Sequence, residues 1–545
     1  MKRDLSAMAA KSHDLLVVGG GVCGLCIARD ASRRGLSVAL VERADFAHAT
    51  SAASSKLIHG GLRYLKTLEL ALVRESLRER RIWETIAPHL VYPLQFLLPN
   101  YKRPGSSKRW MIRAGLTLYD LLGFDRNRLE DEDRKLPSYR ALSATEAVAR
   151  VPGLNDDDLV GALEYWDCQM FAPERLALES AIDAVNHSAS LANWAAVDSF
   201  ITNGQRIEGA VVQDQLSGEK VEVRAKVVVN ATGPWADRML GELAGDAAPA
   251  VVRSKGIHII TRALTDDVAV AFESKGGHFF ILPWRGHSLI GTTDSVFHGE
   301  PDDFSVTEGD IAEFIEVINA GFPSAGITRD DVVHFYGGMR PLVESAPGDD
   351  AYSASRRAEV VDHADGGGAS NLLSALGGKW TTARALAEEV VDNVSKKLGV
   401  KLAACVTDEA PLPGGDIGTW ANFMARQGKR YPELPADVLE HLARNYGTRM
   451  DDVLALSTQD PTLDGPVCAG RVERRAEVVF AVRHEMALTL ADVLFRRTGL
   501  ATLGDPGPEV VRAVADLMAV ELSWDEAAQA EQLRSIKGRF SPAKA

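Results

Sequence analysis

Residues 17–24, VVGGGVCG, place Gly19, Gly20 and Gly21 at the end of an apolar run, with Gly24 three residues later. The spacing Gly19-x-Gly21-x-x-Gly24 suits a backbone that must turn tightly, approach a pyrophosphate and pack a helix against a strand. Glu42 follows 18 residues after Gly24, where a carboxylate accepts hydrogen bonds from ribose hydroxyls. The chemistry on offer is dinucleotide binding, and NAD, NADP and FAD share the pyrophosphate. Arg340 sits in the otherwise uncharged run YGGMRPL, between glycines and a proline. Lys379 stands at the start of an expected helix, where a cation is unfavourable unless an anion is near. His59 and His258 titrate near neutrality and are candidate proton acceptors. In SKGIHIIT, His258 alternates with apolar residues, so a hydrogen-bonded core histidine is the competing reading. Cys23-x-x-Cys26 has the spacing of a redox dithiol. Gly24 lies between the two thiols in a turn already given to the pyrophosphate, so the pair reads as small-residue packing. No cysteine or histidine spacing suggests a metal site.

These residues need a frame. DLLVVGG (14–20) reads as a buried strand, residues 22–34 as a helix stopped by Gly35, and LSVALVER (36–43) as a second strand. Together they form one βαβ unit. Residues 68–87 read as an amphipathic helix, and 195–245 return to strands, including AKVVVNATGPW. Strand patterns also occupy 251–262 and 278–293, and NLLSALGG (371–378) leads into a helix. HADGGGAS (363–370) reads as a loop tip. After PLPGGDIG (411–418) the chain turns helical to about 530, which puts a domain boundary near 410. No fixed-period repeat is visible.

The 545 residues leave room for about two to four domains, and 46% hydrophobic with 25% charged residues is ordinary for a soluble globular chain. A net charge of -14 argues against a nucleic-acid partner, although local cations could still hold a small anion. Five cysteines form no disulfide framework, which suggests a reducing compartment. The N-terminal MKRDLSAMAAKSHD lacks the apolar core of a secretory signal. No run approaches the ~18–20 apolar residues of a membrane span, so any membrane contact is expected to be peripheral.

Two later segments separate FAD from NAD. VVVNATG (227–233) has the form of a second flavoprotein motif, an apolar strand ending in Ala-Thr-Gly. ALGGKWTTAR (375–384) is a third glycine-helix, of the kind that directs its positive end at a flavin pyrimidine ring in two-domain FAD enzymes. An NAD site needs neither, so the cofactor is read as FAD.

ATSAASSKLIHGGLRYL (49–65), VNATGPWAD (229–237), ILPW (281–284), IGTTD (290–294), GGMRPL (337–342) and GGKWTT (377–382) occur in this order. The set closely resembles the FAD-dependent, quinone-linked glycerol-3-phosphate dehydrogenases, from about residue 12 to 400, and the helical tail resembles that family's C-terminal domain. The resemblance implies an α/β fold of the D-amino-acid-oxidase-like type. Its FAD-dependent oxidoreductase domain would span 12–410, with FAD-binding parts at about 12–100, 190–245 and 350–400 and a substrate part at about 246–345. An α-helical domain would occupy 411–545. The implied cofactor contacts are Gly19, Gly20, Gly21, Gly24, Glu42, Arg43, Thr50, Ser51, Ser55, Lys56, Leu57, Val197, Thr232, Gly233, Trp235, Gly378, Lys379 and Thr381.

The implied reaction takes sn-glycerol 3-phosphate to dihydroxyacetone phosphate by hydride transfer to flavin, with electrons passed to a membrane quinone. Arg340, Lys379 and His258 would be catalytic, and Arg63, Tyr64, Arg340 and Lys379 would bind substrate. Arginine suits a phosphate because its planar fork donates two parallel hydrogen bonds. An oxygen-using glycerophosphate oxidase and a nucleotide-binding regulator without turnover remain alternatives. The resemblance also implies a peripheral position on the cytoplasmic face of the cell membrane and is compatible with a homodimer. KRPGSSKRWMIRAGLTLYDLL (102–122) is the candidate membrane helix. It carries Lys102, Arg103, Lys108, Arg109 and Arg113, with Met111, Ile112, Leu118, Tyr119 and Leu122 on one side. The competing reading packs that apolar side onto the substrate domain. Three positions depart from the family pattern: Leu25, Cys26 and Ala383.

Overall fold

The computed structural model describes all residues except 103–108, 242, 244–250, 275–276, 344–357 and 544–545. Arg103 and Lys108 of the candidate membrane helix therefore lie outside the described residues.

Two sheets carry the oxidoreductase body. In the first, the strand Ser12–Val18 lies parallel to Lys220–Asn230 on one side and Val38–Val41 on the other. Ser190–Ala192 and Leu372–Gly377 extend the parallel set, and Ala358–Asp362 pairs antiparallel at the edge. Leu15, Leu16, Val17 and Val18 are all buried, because both faces of this sheet are covered. The helices Val22–Arg33, Pro173–Asn186 and Ala383–Leu398 share one core with Leu15 and Val17. Leu16 and Val18 pack on the other face with Ile207, Ala210 and Val212 of the hairpin strand Arg206–Asp214.

The second, mixed sheet is built around Val251–Arg262, which pairs antiparallel with both His287–Gly291 and Val332–Val343. It is wider than residues 246–345. Leu57–Ile58, Val91–Tyr101, Arg140–Leu142 and Leu159–Met170 also join it. The pairing of Val91–Tyr101 with Val268–Ser274 joins segments far apart in sequence, which no local pattern displays. Within 278–293 the chain makes a hairpin, turning at Arg285 and Gly286, both at positive φ.

The expected helix at 68–87 forms as Leu70–Ile86, but it is buried on most sides. Its apparent polar face is used internally: Arg80 pairs with Asp167 at 2.6 Å and Glu79 with Arg384 at 2.7 Å. From Trp420 onward the chain is helical, with two apolar cores of its own. The architecture is the D-amino-acid-oxidase-like FAD fold with a C-terminal helical domain.

Candidate active site

The glycine turn lies at the carboxyl ends of the parallel strands, the ligand crevice of open α/β sheets. Gly19 has φ +109°, and a Cβ there would lie 2.6 Å from the Ala231 carbonyl oxygen. A Cβ on Gly24 would lie 1.9 Å from the Gly19 carbonyl oxygen. A side chain at either position would collide with backbone and force the turn and the helix apart, so these glycines fit the tight turn and close helix–strand packing that a pyrophosphate site requires. The Val22 amide at the helix start donates to Ser51 Oγ at 2.9 Å. The Gly20 amide donates to Glu42 Oε2 at 2.7 Å, and the Ala44 amide to Oε1 at 2.9 Å.

Arg43 stacks over Trp235 at 4.3 Å, and both reach Asp302, at 2.6 and 3.1 Å. Thr232 closes the strand end by donating to Asn230 Oδ1 at 2.7 Å, and Gly233 follows at positive φ. Val197 sits where the hairpin register shifts, two residues after Ala195, whose amide donates to the Glu42 carbonyl at 2.7 Å. Leu25 and Cys26 are buried in the core between this helix and its neighbours, and Ala383 is buried at a helix start. Burial pushes the Cys23 thiol up to about 11 and Cys26 to about 12, the opposite of a reactive dithiol.

Loop 49–65 runs between the two sheets and is pinned from several directions. Thr50 Oγ1 donates to the Met339 carbonyl at 2.7 Å, and Tyr336 Oη to the Ser54 carbonyl at 2.8 Å. Trp380 Nε1 donates to the Ser51 carbonyl at 2.9 Å, and the His59 amide to Thr381 Oγ1 at 3.2 Å. Gly378, at positive φ, leads into this Lys379–Thr381 segment.

One cationic cluster gathers at the end of this loop. Lys379 Nζ lies 4.6 Å from the buried Tyr64 ring, and the Arg63 guanidinium 5.1 Å from the same ring. Lys379 Nζ is buried with no hydrogen-bond partner among the described residues. Burial lowers its pKa, with Tyr64 and nearby acids acting against that. An ammonium in this position calls for an anionic partner.

The second cluster lies on the substrate sheet. Arg340 donates to Ser254 Oγ at 3.0 Å and Thr292 Oγ1 at 2.8 Å, and reaches Asp294 at 3.4 Å. A Cβ on Gly256 would lie 2.4 Å from Arg340 Nη2, so the guanidinium crosses the strand face at that glycine. His258 stacks on Tyr336 at 4.9 Å, and its Nε2 lies 2.8 Å from Ser55 Oγ. Burial holds the His258 imidazole well below 6.5, helped by the charges of Arg340 and Lys56, so the ring is neutral at pH 7.

Lys56 and Leu57 are differently placed. The Lys56 ammonium faces Glu174 at 3.3 Å and the Trp284 ring at 4.6 Å, and Leu57 packs in an apolar core with Tyr64. The sequence reading assigned no role to Ser254, Thr292, Asp294 or Tyr336, which frame Arg340 and His258. The hydroxyl-rich strand end IGTTD was the available signal for two of them. Nothing local announces the Lys56–Glu174 pair, whose members are 118 residues apart.

Residues 14–392 match the family model of FAD dependent oxidoreductases, and 405–529 that of the C-terminal domain of alpha-glycerophosphate oxidase. A glycerol-3-phosphate dehydrogenase of Synechocystis is 37% identical over 539 residues, spanning 96% of this chain and 95% of that protein. A D-erythritol 1-phosphate dehydrogenase of Brucella abortus is 36% identical over 493 residues, 89% of this chain and 94% of that protein. Among solved structures, the glycerol-3-phosphate dehydrogenase of Bacillus halodurans complexed with FAD aligns with a TM-score of 0.78 and 28% identity, covering 98% of this chain and 95% of that one. The glycine cradle, the paired sheets and these likenesses agree: the chain is an FAD-binding member of the glycerol-3-phosphate dehydrogenase family.

Proposed function

We propose that the enzyme oxidises sn-glycerol 3-phosphate to dihydroxyacetone phosphate and passes the electrons to a membrane quinone. The observation that carries this reading is the buried Lys379 ammonium, without a hydrogen-bond partner among the described residues, grouped with Arg63 and Tyr64. Bound FAD supplies a two-electron acceptor for the hydride of the substrate's secondary alcohol. The glycine turn and the helix Val22–Arg33 hold the pyrophosphate, and Glu42 takes the ribose hydroxyls. Arg63, Lys379 and Arg340 hold the phosphate and orient the alcohol. Neutral His258, positioned by Ser55, accepts the hydroxyl proton.

The burial of His258 predicts a pH signature in stability, independent of its role in the reaction. Unfolded imidazole takes up a proton near pH 6.5, whereas the buried ring resists it. This residue's contribution to stability is therefore complete above about pH 6.5 and shrinks as pH falls below it. Thermal melts of wild type should lose more stability between pH 7 and 5.5 than those of His258→Gln. Equal losses would mean that the ring protonates in place.

For the acceptor, an anaerobic assay with a short-chain quinone should turn over at least tenfold faster than the same assay with oxygen alone. The oxidase-type C-terminal match keeps oxygen as the second reading. Peroxide formation at the quinone-supported rate would favour it.

No helix among the described residues is long and apolar enough to cross a membrane. We place the enzyme on the cytoplasmic membrane face, through the part of the same helix that holds Met111 rather than the side holding Ile112, Tyr119 and Leu122. In the helix Arg109–Leu122, Ile112, Tyr119 and Leu122 turn inward with Leu116 onto Val73 and Leu77. The guanidinium of Arg109 binds the Leu142 and Val160 carbonyls. Helical periodicity alone does not tell which part of this wide apolar arc meets protein. The arc left outside holds Trp110, Met111 and Leu121, 66%, 52% and 66% exposed, with Phe124 just beyond at 67%. Leu68, 75% exposed, follows the turn Leu62–Leu65 that packs on this helix and carries Arg63 and Tyr64. Vesicles containing anionic lipid should co-sediment wild type but not the Trp110→Ser, Leu121→Ser, Phe124→Ser triple variant. Equal sedimentation would place attachment elsewhere.

A further inference from the structure

We infer that the C-terminal helical domain latches the ribose-binding loop, through Arg496 and Arg497 on Asp45, and thereby sets how tightly FAD is held. Loop 42–47 carries the ribose acceptor Glu42 and packs on the glycine turn. Besides the bonds of Glu42 to Gly20 and Ala44, the Ala47 amide donates to the Gly20 carbonyl at 2.9 Å. A Cβ on Gly20 would lie 2.9 Å from Phe46 Cδ1, so the loop and the turn are in close contact. Displacing the middle of this loop displaces both groups that face the nucleotide.

That middle is Asp45, fully buried and held from another domain. Arg497 donates to its two oxygens at 2.8 and 2.9 Å, and Arg496 Nε donates at 2.5 Å. Asn193 adds a bond at 2.9 Å. Burial alone would push the Asp45 carboxyl up, but Arg497 and Arg496 more than reverse this, so it is ionised. Both arginines lie on the π-helical turn Asp492–Arg497, a rare geometry that collects at functional positions. Asp492 fixes that turn by pairing with Arg496 at 2.6 Å and accepting from Trp194 Nε1 at 3.1 Å. The Trp194 amide in turn donates to the Ala44 carbonyl at 2.7 Å, closing a ring around the loop. A buried carboxylate stripped of a guanidinium partner would move toward water, taking Glu42 with it.

The inference rests on Glu42 meeting the ribose, and the test separates the two. Apoprotein is titrated with FAD, following flavin fluorescence, for wild type, Arg497→Gln, Glu42→Gln and Asp131→Asn. Asp131 accepts from the Trp420 amide at 2.8 Å, a contact of the C-terminal domain with a different part of the body. Arg497→Gln and Glu42→Gln should each raise the FAD Kd at least tenfold, and Asp131→Asn less than twofold. Loss in Glu42→Gln with wild-type affinity in Arg497→Gln would overturn the latch alone. Wild-type affinity in Glu42→Gln would overturn the ribose reading and the latch with it. Should Arg497→Gln fail to fold, hydrogen exchange on wild type decides. FAD should slow amide exchange in 488–498 as well as in 42–47, because coupling between sites is reciprocal. Unchanged exchange in 488–498 would overturn the latch.

Discussion

Arg340→Ala is expected to lower turnover on sn-glycerol 3-phosphate by at least two orders of magnitude while leaving FAD bound. The guanidinium is already oriented by Ser254 and Thr292 and anchored near Asp294, so it has no reorganisation to undergo as the alcohol reacts. Removing a fixed donor that strengthens at the transition state costs about 2.7–4 kcal/mol, or roughly 10²–10³ in rate. Flavin should stay because the contacts that hold Arg340, to Ser254, Thr292 and Asp294, belong to the substrate part of the chain and not to the glycine turn. Stopped-flow measurement of the reductive half-reaction separates the two effects. A wild-type rate of flavin reduction would remove Arg340 from the reacting end.

The largest effect is expected from the substrate. Uncharged glycerol should be oxidised with a kcat/KM roughly 10⁴ lower than glycerol 3-phosphate. A site built to pair a polar group rejects the analogue that lacks it by about 10⁴–10⁵, because its own buried groups are then left alone. Lys379 supplies that penalty, since its ammonium is buried and without a hydrogen-bond partner among the described residues. A four-carbon polyol phosphate keeps the anion and should lose far less than glycerol. Comparable efficiency on glycerol and glycerol 3-phosphate would show that the cations serve something other than the substrate phosphate.

The nucleotide end of this molecule was legible because it is local. Gly19, Gly21, Gly24 and Glu42 lie within one βαβ unit, and each has a backbone or hydrogen-bonding reason readable from spacing. Arg340 and Lys379 were singled out by unusual contexts, an uncharged strand and a helix start. What supports them was not legible, because it comes from other strands. Ser254 reaches Arg340 across 86 residues and Ser55 reaches His258 across 203, separations that only sheet pairing and loop packing bring together. The helix Arg109–Leu122 shows the opposite limit. Its amphipathic pattern is real, but the apolar arc is wide, and the tertiary fold takes only its Ile112, Leu116 and Tyr119 side for the core. The latch on Asp45 is remote in the same way, joining positions 452 residues apart.

Anaerobic mixing of the purified flavoprotein with sn-glycerol 3-phosphate tests the central claim most directly. The visible absorbance of the bound oxidised flavin should bleach within the turnover time. One equivalent of dihydroxyacetone phosphate should form per flavin. A protein that binds FAD yet shows neither bleaching nor product would contradict the account and leave a nucleotide-binding regulator in its place.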